Sequence, residues 1–185
     1  MKTITFIILV ATLAITACGG GTETKNNTNT STANSISDWQ QRALEDSIIP
    51  WEQDDIEWIP RRDLKIKIIG LLYSRVKVDY VPDSPDYWKT YAEVVADDYA
   101  GDCEDISAYW YEVIRRERIV PDHALFMQFG TLHDGTGHVI LVIDHPDGEI
   151  VVNENSIYPY DDISFQDSYF SSIIAEYNMF MSFVN

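Results

Sequence analysis

The chain has 185 residues, with 30 acidic and 13 basic side chains and a formal charge of −17 at pH 7. This charge excludes a general affinity for nucleic acid, because binding to phosphates needs clusters of Lys and Arg. Apolar residues make up 45% and aromatic residues 12% of the chain, so a disordered acidic protein is excluded as well. The length predicts a single domain with a tail.

The first residues have the pattern of a bacterial export signal. A basic start, Met1-Lys2, precedes an apolar run over residues 4–15 that only threonines interrupt. The run is shorter than the ~20 residues that cross a bilayer and is typical of a secretory signal. Residues 15–18, Ile-Thr-Ala-Cys, resemble a lipobox, in which the chain is cut before the cysteine and the thiol is diacylated. We therefore predict a signal peptide over 1–17 and a lipidated Cys18, the alternative being an ordinary signal peptide with a chance cysteine.

The next segment predicts a tether. Residues 18–37 consist mainly of Gly, Thr, Asn and Ser, a composition typical of a flexible linker. Residues 38–185 then form the domain. Gly19 after the cysteine resembles lipoproteins sorted to the outer membrane of Gram-negative bacteria. The expected location is thus outside the cytoplasm, with the protein anchored by lipid to the cell envelope.

The remaining elements predict an α+β fold. Helical patterns are followed by a helix with an apolar stripe, and then by β-like runs that a turn-forming stretch joins into a hairpin. The predicted elements are helices over 38–46, 63–75 and 102–117, an extended piece over 76–81, strands over 124–129, 138–144 and 149–153, a turn over 145–148, and a closing segment over 164–185 that packs on the core. A central helix followed by antiparallel strands is typical of α+β proteins.

Cys103 begins the predicted central helix. Lipidation of Cys18 would leave Cys103 as the single unmodified cysteine in an oxidising compartment, where it is buried and inert, intermolecular, or kept for its reactivity. A disulfide between the two is the least expected use of them. The positive end of the helix dipole would lower the pKa of a thiol in the first turn. His138 opens a strand after Gly-Thr-Gly and can supply the base that a catalytic thiol needs.

A third group has to orient the imidazole of His138. Asp144 lies roughly 20 Å along the same strand and is too far away. Asn153 and Asn155 lie on the returning strand, where a regular hairpin makes both face the His138 side. The spacing does not choose between them. The other histidines, at positions 123, 133 and 145, are predicted to face solvent, and no His or Cys spacing indicates zinc.

Several of these segments resemble one known family. Val-Asp-Tyr-Val-Pro-Asp at 78–83, Asp-Tyr-Trp-Lys-Thr at 86–90 and Gly-Asp-Cys-Glu-Asp at 101–105, followed by a histidine that opens an apolar strand, are similar to the bacterial transglutaminase-like cysteine peptidases. These are exported, calcium-dependent proteases, some of which cleave surface adhesins. The resemblance covers about 76–155. It implies a papain-like or transglutaminase-like fold, in which the helix that bears the nucleophile packs on an antiparallel sheet.

The resemblance also implies roles for individual residues. The catalytic Cys and His of the family correspond to Cys103 and His138. The third member, usually Asp, falls at Asn153, and an amide stabilises an imidazolium less than a carboxylate does.

The resemblance implies a calcium site as well, with Asp102, Glu104 and Asp105 as ligands. Eight acidic residues and one basic residue, Lys89, lie between positions 83 and 105. Carboxylates beside a thiol raise its pKa, and bound Ca²⁺ would cancel their field. The alternative is that Asp102 and Asp105 only cap the helix.

Two classes of function follow from the sequence. The first is a membrane-tethered cysteine peptidase that hydrolyses a cell-surface or periplasmic protein. The second is a catalytically weak or inactive module of the same fold that binds calcium or protein. A variant of the first would use the same residues for amide transfer, as a transglutaminase or a cell-wall amidase.

Overall fold

A computed structural model of the chain describes residues 31–46, 55–83, 87–157, 170–177 and 182–184. The predicted signal peptide, the lipidated Cys18 and part of the closing segment lie outside the described residues. Within them, the helices are too short or too polar to cross a membrane.

The order of the elements agrees with the predicted α+β class. The helices are α1 (Ser31–Asp46), α2 (Arg61–Ser74), α3 (Tyr91–Ala96) and α4 (Cys103–Arg116). The strands are β1 (Asp79–Tyr80), β2 (Ala100–Gly101), β3 (Leu125–Leu132), β4 (Gly137–Ile143), β5 (Ile150–Asn153), β6 (Ser156–Ile157), β7 (Phe170–Tyr177) and β8 (Ser182–Val184).

Helix α1 begins earlier than predicted. It includes residues 31–37, which the composition assigned to the tether. Trp39 and Ala43 of α1 are buried in the core, and the indole N–H of Trp39 donates to the carbonyl oxygen of Lys89 at 3.1 Å. Once tertiary contacts hold the helix at one end, adding residues at the other is much easier than nucleating a new helix.

An antiparallel sheet carries most of the fold. Its six strands lie in the order β6-β5-β4-β3-β7-β8, and β1 and β2 form a separate parallel pair. Side chains of β4 alternate between two faces: Val139 and Leu141 pack in the core cluster that contains α4, whereas Ile140 and Val142 pack on the other face with Phe170. The prediction that the helix that begins at Cys103 packs on an antiparallel sheet is confirmed.

Helix α4 is buried on nearly every side. The stripe predicted from periodicity covers one face, but residues 103–115 are all buried. Burial extends to Arg115, whose Nε lies 3.3 Å from Asp122 Oδ2 and whose guanidinium lies 3.7 Å from Glu112 Oε2. A cation with no exposed surface needs such partners, because an unpaired buried charge is strongly destabilising.

This pairing predicts a large effect of substitution. Arg115→Met should lower the free energy of unfolding by about 3–5 kcal/mol, because the buried carboxylate of Asp122 loses the cation that pairs with it, while Glu112 keeps Arg116. Arg75→Met is the matched control: Arg75 pairs with Glu117 at the surface, and exposed pairs contribute at most about 1 kcal/mol. Urea denaturation followed by circular dichroism measures both. Equal losses in the two variants would contradict the importance of burial here.

Candidate active site

His138 and Asn153 are in direct contact. The β4–β5 register pairs Leu141 with Val152, so Asn153 lies opposite Ile140, on the same face as His138 and one pleat along the strand. His138 Nε2 lies 2.9 Å from Asn153 Oδ1. An amide oxygen only accepts, so Nε2 carries the hydrogen and donates it. Nδ1 is therefore the basic nitrogen of the neutral ring.

Asn155 has a different role from Asn153. Its Oδ1 accepts from the backbone N–H of Val78 and from the indole N–H of Trp110, each at 3.2 Å, and its Nδ2 donates to the Val78 carbonyl at 2.8 Å. The two asparagines face different partners because Glu154 between them has a left-handed φ of 50°, which breaks the alternation of a regular strand. The expectation that both would face His138 is wrong for Asn155. Its side chain instead fastens the segment before β1 to α4.

The imidazole of His138 lies in apolar surroundings. Only 7% of the residue is exposed, and its ring centroid lies 6.4 Å from that of Phe170. Gly130 is paired with His138 across the sheet and makes room for the Phe170 ring. A Cβ at position 130 would lie 2.4 Å from the Phe170 side chain. Sequence reasoning missed both Gly130 and Phe170, because their proximity to His138 depends on strand pairing that no local pattern encodes.

Burial lowers the pKa of His138. The hydrogen bond to Asn153 and the negative charge of Glu154 act in the opposite direction without reversing the effect. The ring is consequently held in its neutral form at neutral pH. That form is able to accept a proton.

Cys103 is the first residue of α4 and is 1% exposed. Its Sγ lies 3.1 Å from Glu104 Oε2. The expectation that a disulfide is the least probable use of the two cysteines stays a prediction. Cys18, the other cysteine, lies outside the described residues.

Helix α4 brings Cys103 to the end of the sheet where His138 lies. Ser107, one turn after Cys103, donates its hydroxyl hydrogen to the carbonyl oxygen of Val139 at 3.2 Å. Val139 directly follows His138 in β4. Because the His138 side chain belongs to the face away from α4, thiol and imidazole can meet only around the end of the strand. The catalytic pairing of Cys103 with His138 stays a prediction.

The three predicted calcium ligands are buried at the start of α4. Asp102, Glu104 and Asp105 are each at most 3% exposed. Asp102 occupies the N-cap position, but its side chain makes no capping hydrogen bond, so the interpretation of Asp102 as a side-chain cap is wrong. Asp105 Oδ1 accepts from the backbone N–H of Lys89 at 2.7 Å, and Lys89 Nζ lies 3.6 Å from its Oδ2. Burial raises the pKa of Asp105 to about 7, and the negative charge of Asp102 acts in the same direction.

These carboxylates are chemically suitable ligands for calcium, but they do not point to a common position. Buried carboxylate oxygens are the ligands that Ca²⁺ prefers. Among the described residues, however, no three His, Cys, Asp or Glu side chains surround a common point. Asp105 is directed toward Lys89 and Glu104 toward Cys103.

One of the three histidines that were predicted to face solvent is buried. His123 and His133 are exposed, as predicted, but His145 is only 3% exposed. Its Nε2 donates to the carbonyl oxygen of Ile59 at 2.9 Å, and its ring packs edge-on against Trp58 at 4.7 Å. The turn after β4 is covered by the segment before α2, a contact between distant parts of the chain that turn-forming residues do not reveal.

Fold and site together define an α+β protein with a cysteine at the start of a buried helix and a histidine at the start of a strand. Solved structures with a transglutaminase-like fold share this architecture. The chain is similar to Legionella pneumophila LapG in its calcium-bound form, with 19% identity and a TM-score of 0.52 over 81% of this chain and 87% of that one. An EGTA-treated form of LapG matches with 18% identity and a TM-score of 0.51 over 82% and 86% of the two chains.

The likeness to LapG shows the fold. Scans of the sequence against protein-family models and against curated proteins find no match. What the site does must therefore be argued from its own residues.

The hydrogen bond between His138 and Asn153 predicts opposite effects of two substitutions. Asn153→Ala should lower the pKa of His138 further, because it removes the bond that favours the charged ring. Asn153→Asp should raise the pKa above the wild-type value by about one pH unit or more, because a carboxylate stabilises the imidazolium. NMR titration of the imidazole signals measures both shifts, with the exposed His123 and His133 as internal references. An unchanged His138 pKa in both variants would contradict the contact.

Proposed function

We propose that the mature chain is an exported cysteine peptidase, anchored by lipid at Cys18, that hydrolyses peptide bonds of a cell-surface or periplasmic protein. Cys103 is the nucleophile, His138 the base and Asn153 the orienting residue. The observation that carries this proposal is the buried hydrogen bond from His138 Nε2 to Asn153, because it makes Nδ1 the proton acceptor. Thiol catalysis requires a neutral, oriented imidazole as the base, and the bond to Asn153 supports that role for His138.

The proposed reaction follows from these groups. Nδ1 of His138 takes the proton of the Cys103 thiol, and the thiolate attacks the carbonyl carbon of the scissile bond. The backbone N–H of Cys103, in the first turn of α4, donates to the oxyanion that forms. His138 then gives its proton to the leaving amine. Water, deprotonated by His138, hydrolyses the thioester and restores the thiol.

The proposal requires a reduced Cys103. A cysteine whose sulfur carries a diacylglycerol cannot form a disulfide, so lipidation of Cys18 keeps the Cys103 thiol available. Processing of the amino terminus and activity of the thiol are in this way linked by chemistry. Oxidation of unprocessed chains would leave them inactive.

A second candidate is a weak or inactive module that binds calcium or protein. The observation that favours it is Asn153 itself, because an amide leaves the imidazolium less stabilised than the usual carboxylate. The same residues could also pass the acyl group to an amine instead of water, which is amide transfer. The Cys103 thiol distinguishes the classes, since only an enzyme needs it activated.

The reactivity of Cys103 tests the proposed mechanism. In a Cys18→Ser background Cys103 is the sole thiol, so alkylation of reduced protein by iodoacetamide reports on it alone. We expect alkylation to persist below pH ~7, where an ordinary thiol with a pKa near ~8.5 is slow. His138→Ala should abolish this reactivity, and His133→Ala, an exposed matched control, should not.

Proteolysis provides the corresponding functional readout. Envelope proteins of the native host, incubated with the wild-type chain, should yield fragments that are absent with Cys103→Ala. Fragments produced equally by both proteins would contradict the mechanism. Normal thiol activation without any fragment would favour amide transfer instead.

We propose further that Asp102, Glu104 and Asp105 bind Ca²⁺, as the acidic start of α4 and the likeness to calcium-bound LapG suggest. Calcium at 100 times its dissociation constant would then stabilise the fold by about 2.7 kcal/mol. Differential scanning calorimetry with CaCl₂, MgCl₂ or EGTA measures this as a rise in Tm with calcium alone. Asp102→Asn should remove the rise, whereas Asp134→Asn, in an exposed turn, should retain it. A Tm insensitive to calcium would refute the site.

A further inference from the structure

The exposed large apolar side chains of the described residues lie in one part of the chain. All of them fall between positions 66 and 87, on α2 and the segments that follow it: Ile66, Ile69, Tyr73, Val76, Tyr80, Val81 and Tyr87. Helix α2 already buries Leu64, Ile68 and Leu72 on its inner face. A second apolar stripe on its outer side serves no purpose within the described domain, and such clusters mark binding surfaces.

Part of this surface is a groove between α2 and β6. Its volume is about 270 Å³, and its walls include Ile69 and Tyr73 on one side and Ile157 on the other. β6 is an edge strand of the sheet. Ile69 is 40% and Tyr73 81% exposed, so both side chains have surface left to contact a bound group.

The groove and the candidate active site share one short segment of the chain. Asn155 forms part of its wall and is two residues from Asn153, which bonds His138. The same Asn155 side chain fastens Val78 and Trp110.

The charge of this surface is opposite to that of the rest of the protein. Residues 61–77 contain six of the 13 basic side chains and a single acidic one, in a chain with a net charge of −17. Lys77 lies in the wall of the groove, with its Nζ 5.9 Å from the centre of the Tyr73 ring. Such a surface attracts acidic groups, and the acidic start of α4 repels them.

We propose that this groove binds a segment of the protein substrate in which an aromatic or aliphatic side chain is flanked by Asp or Glu. The apolar side chain lies between Ile69, Tyr73 and Ile157, and the acidic residues face Lys77, the cation in the wall of the groove. The inference rests on the proposed function for the identity of the ligand as a substrate. It names the class of substrate through the chemistry of the groove.

Two pairs of matched variants test the groove. Binding of a fluorescein-labelled Glu-Glu-Phe-Glu-Glu peptide is measured by anisotropy with the full Cys103→Ala chain in a neutral detergent, so that hydrolysis does not interfere. Ile69→Ser and Lys77→Glu, in the wall of the groove, should each weaken binding about tenfold or more. Ile66→Ser and Lys67→Glu make the same changes at residues of α2 that lie outside the wall, and should change binding less than about twofold. A Lys-Lys-Phe-Lys-Lys peptide should bind far more weakly.

The outcomes separate this proposal from its alternatives. Equal losses of peptide binding within each pair of variants, or no preference for the acidic peptide, would overturn the proposal that the groove binds this peptide. Binding to vesicles that contain phosphatidylglycerol, lost equally in Ile66→Ser and Ile69→Ser and unaffected by the peptide, would show that the surface contacts a membrane instead. Binding is measured without catalysis, so the two proposals can fail separately. If the peptide binds as expected but the wild-type protein cleaves no envelope protein, the peptidase function is refuted and the binding role of the groove stands.

Discussion

Burial of α4 along nearly its whole length is the constraint on which the rest of the structure depends. The helix begins at Cys103, and its N-cap and first turn place three carboxylates in the interior while its last turns bury Arg115. Each buried charge has to be offset nearby: by Lys89 for Asp105, and by Asp122 and Glu112 for Arg115. Surrounding elements are therefore held not only by apolar packing but by the partners that the helix requires.

The same helix contributes to an uneven distribution of charge in the protein. Negative charge is concentrated where α4 begins, and positive charge lies along α2 on the other side of Asn155. A ligand that spans both regions experiences attraction at one end and repulsion at the other, which sets its direction. Screening by salt would weaken the exposed part of this effect more than the buried part.

Local patterns were sufficient for the elements that carry the candidate chemistry. Helix α4 and strands β4 and β5 lie within about one residue of the positions that periodicity predicts. Features that depend on contacts between distant segments were not predictable. These are the burial of α4 on all sides, the burial of His145 by the segment before α2, and the pairing of β7 with β3.

The separation of Asn153 and Asn155 illustrates the limit most clearly. Alternation along a strand assigns both side chains to one face, and a single residue with left-handed backbone, Glu154, separates them. Non-glycine residues seldom adopt this conformation, so the sequence contains no signal for it. The motif Asn-Glu-Asn thus reads as two equivalent candidates, although the structure uses one for the imidazole and the other to hold two segments together.

Gly130 has an effect that reaches beyond its own strand. The absence of a side chain there admits the Phe170 ring beside His138, and an aromatic wall displaces water that would otherwise solvate an imidazolium. A lower local dielectric strengthens every remaining interaction of the ring, including its bond to Asn153. One missing methyl group on a neighbouring strand in this way helps to determine how readily the histidine holds a proton.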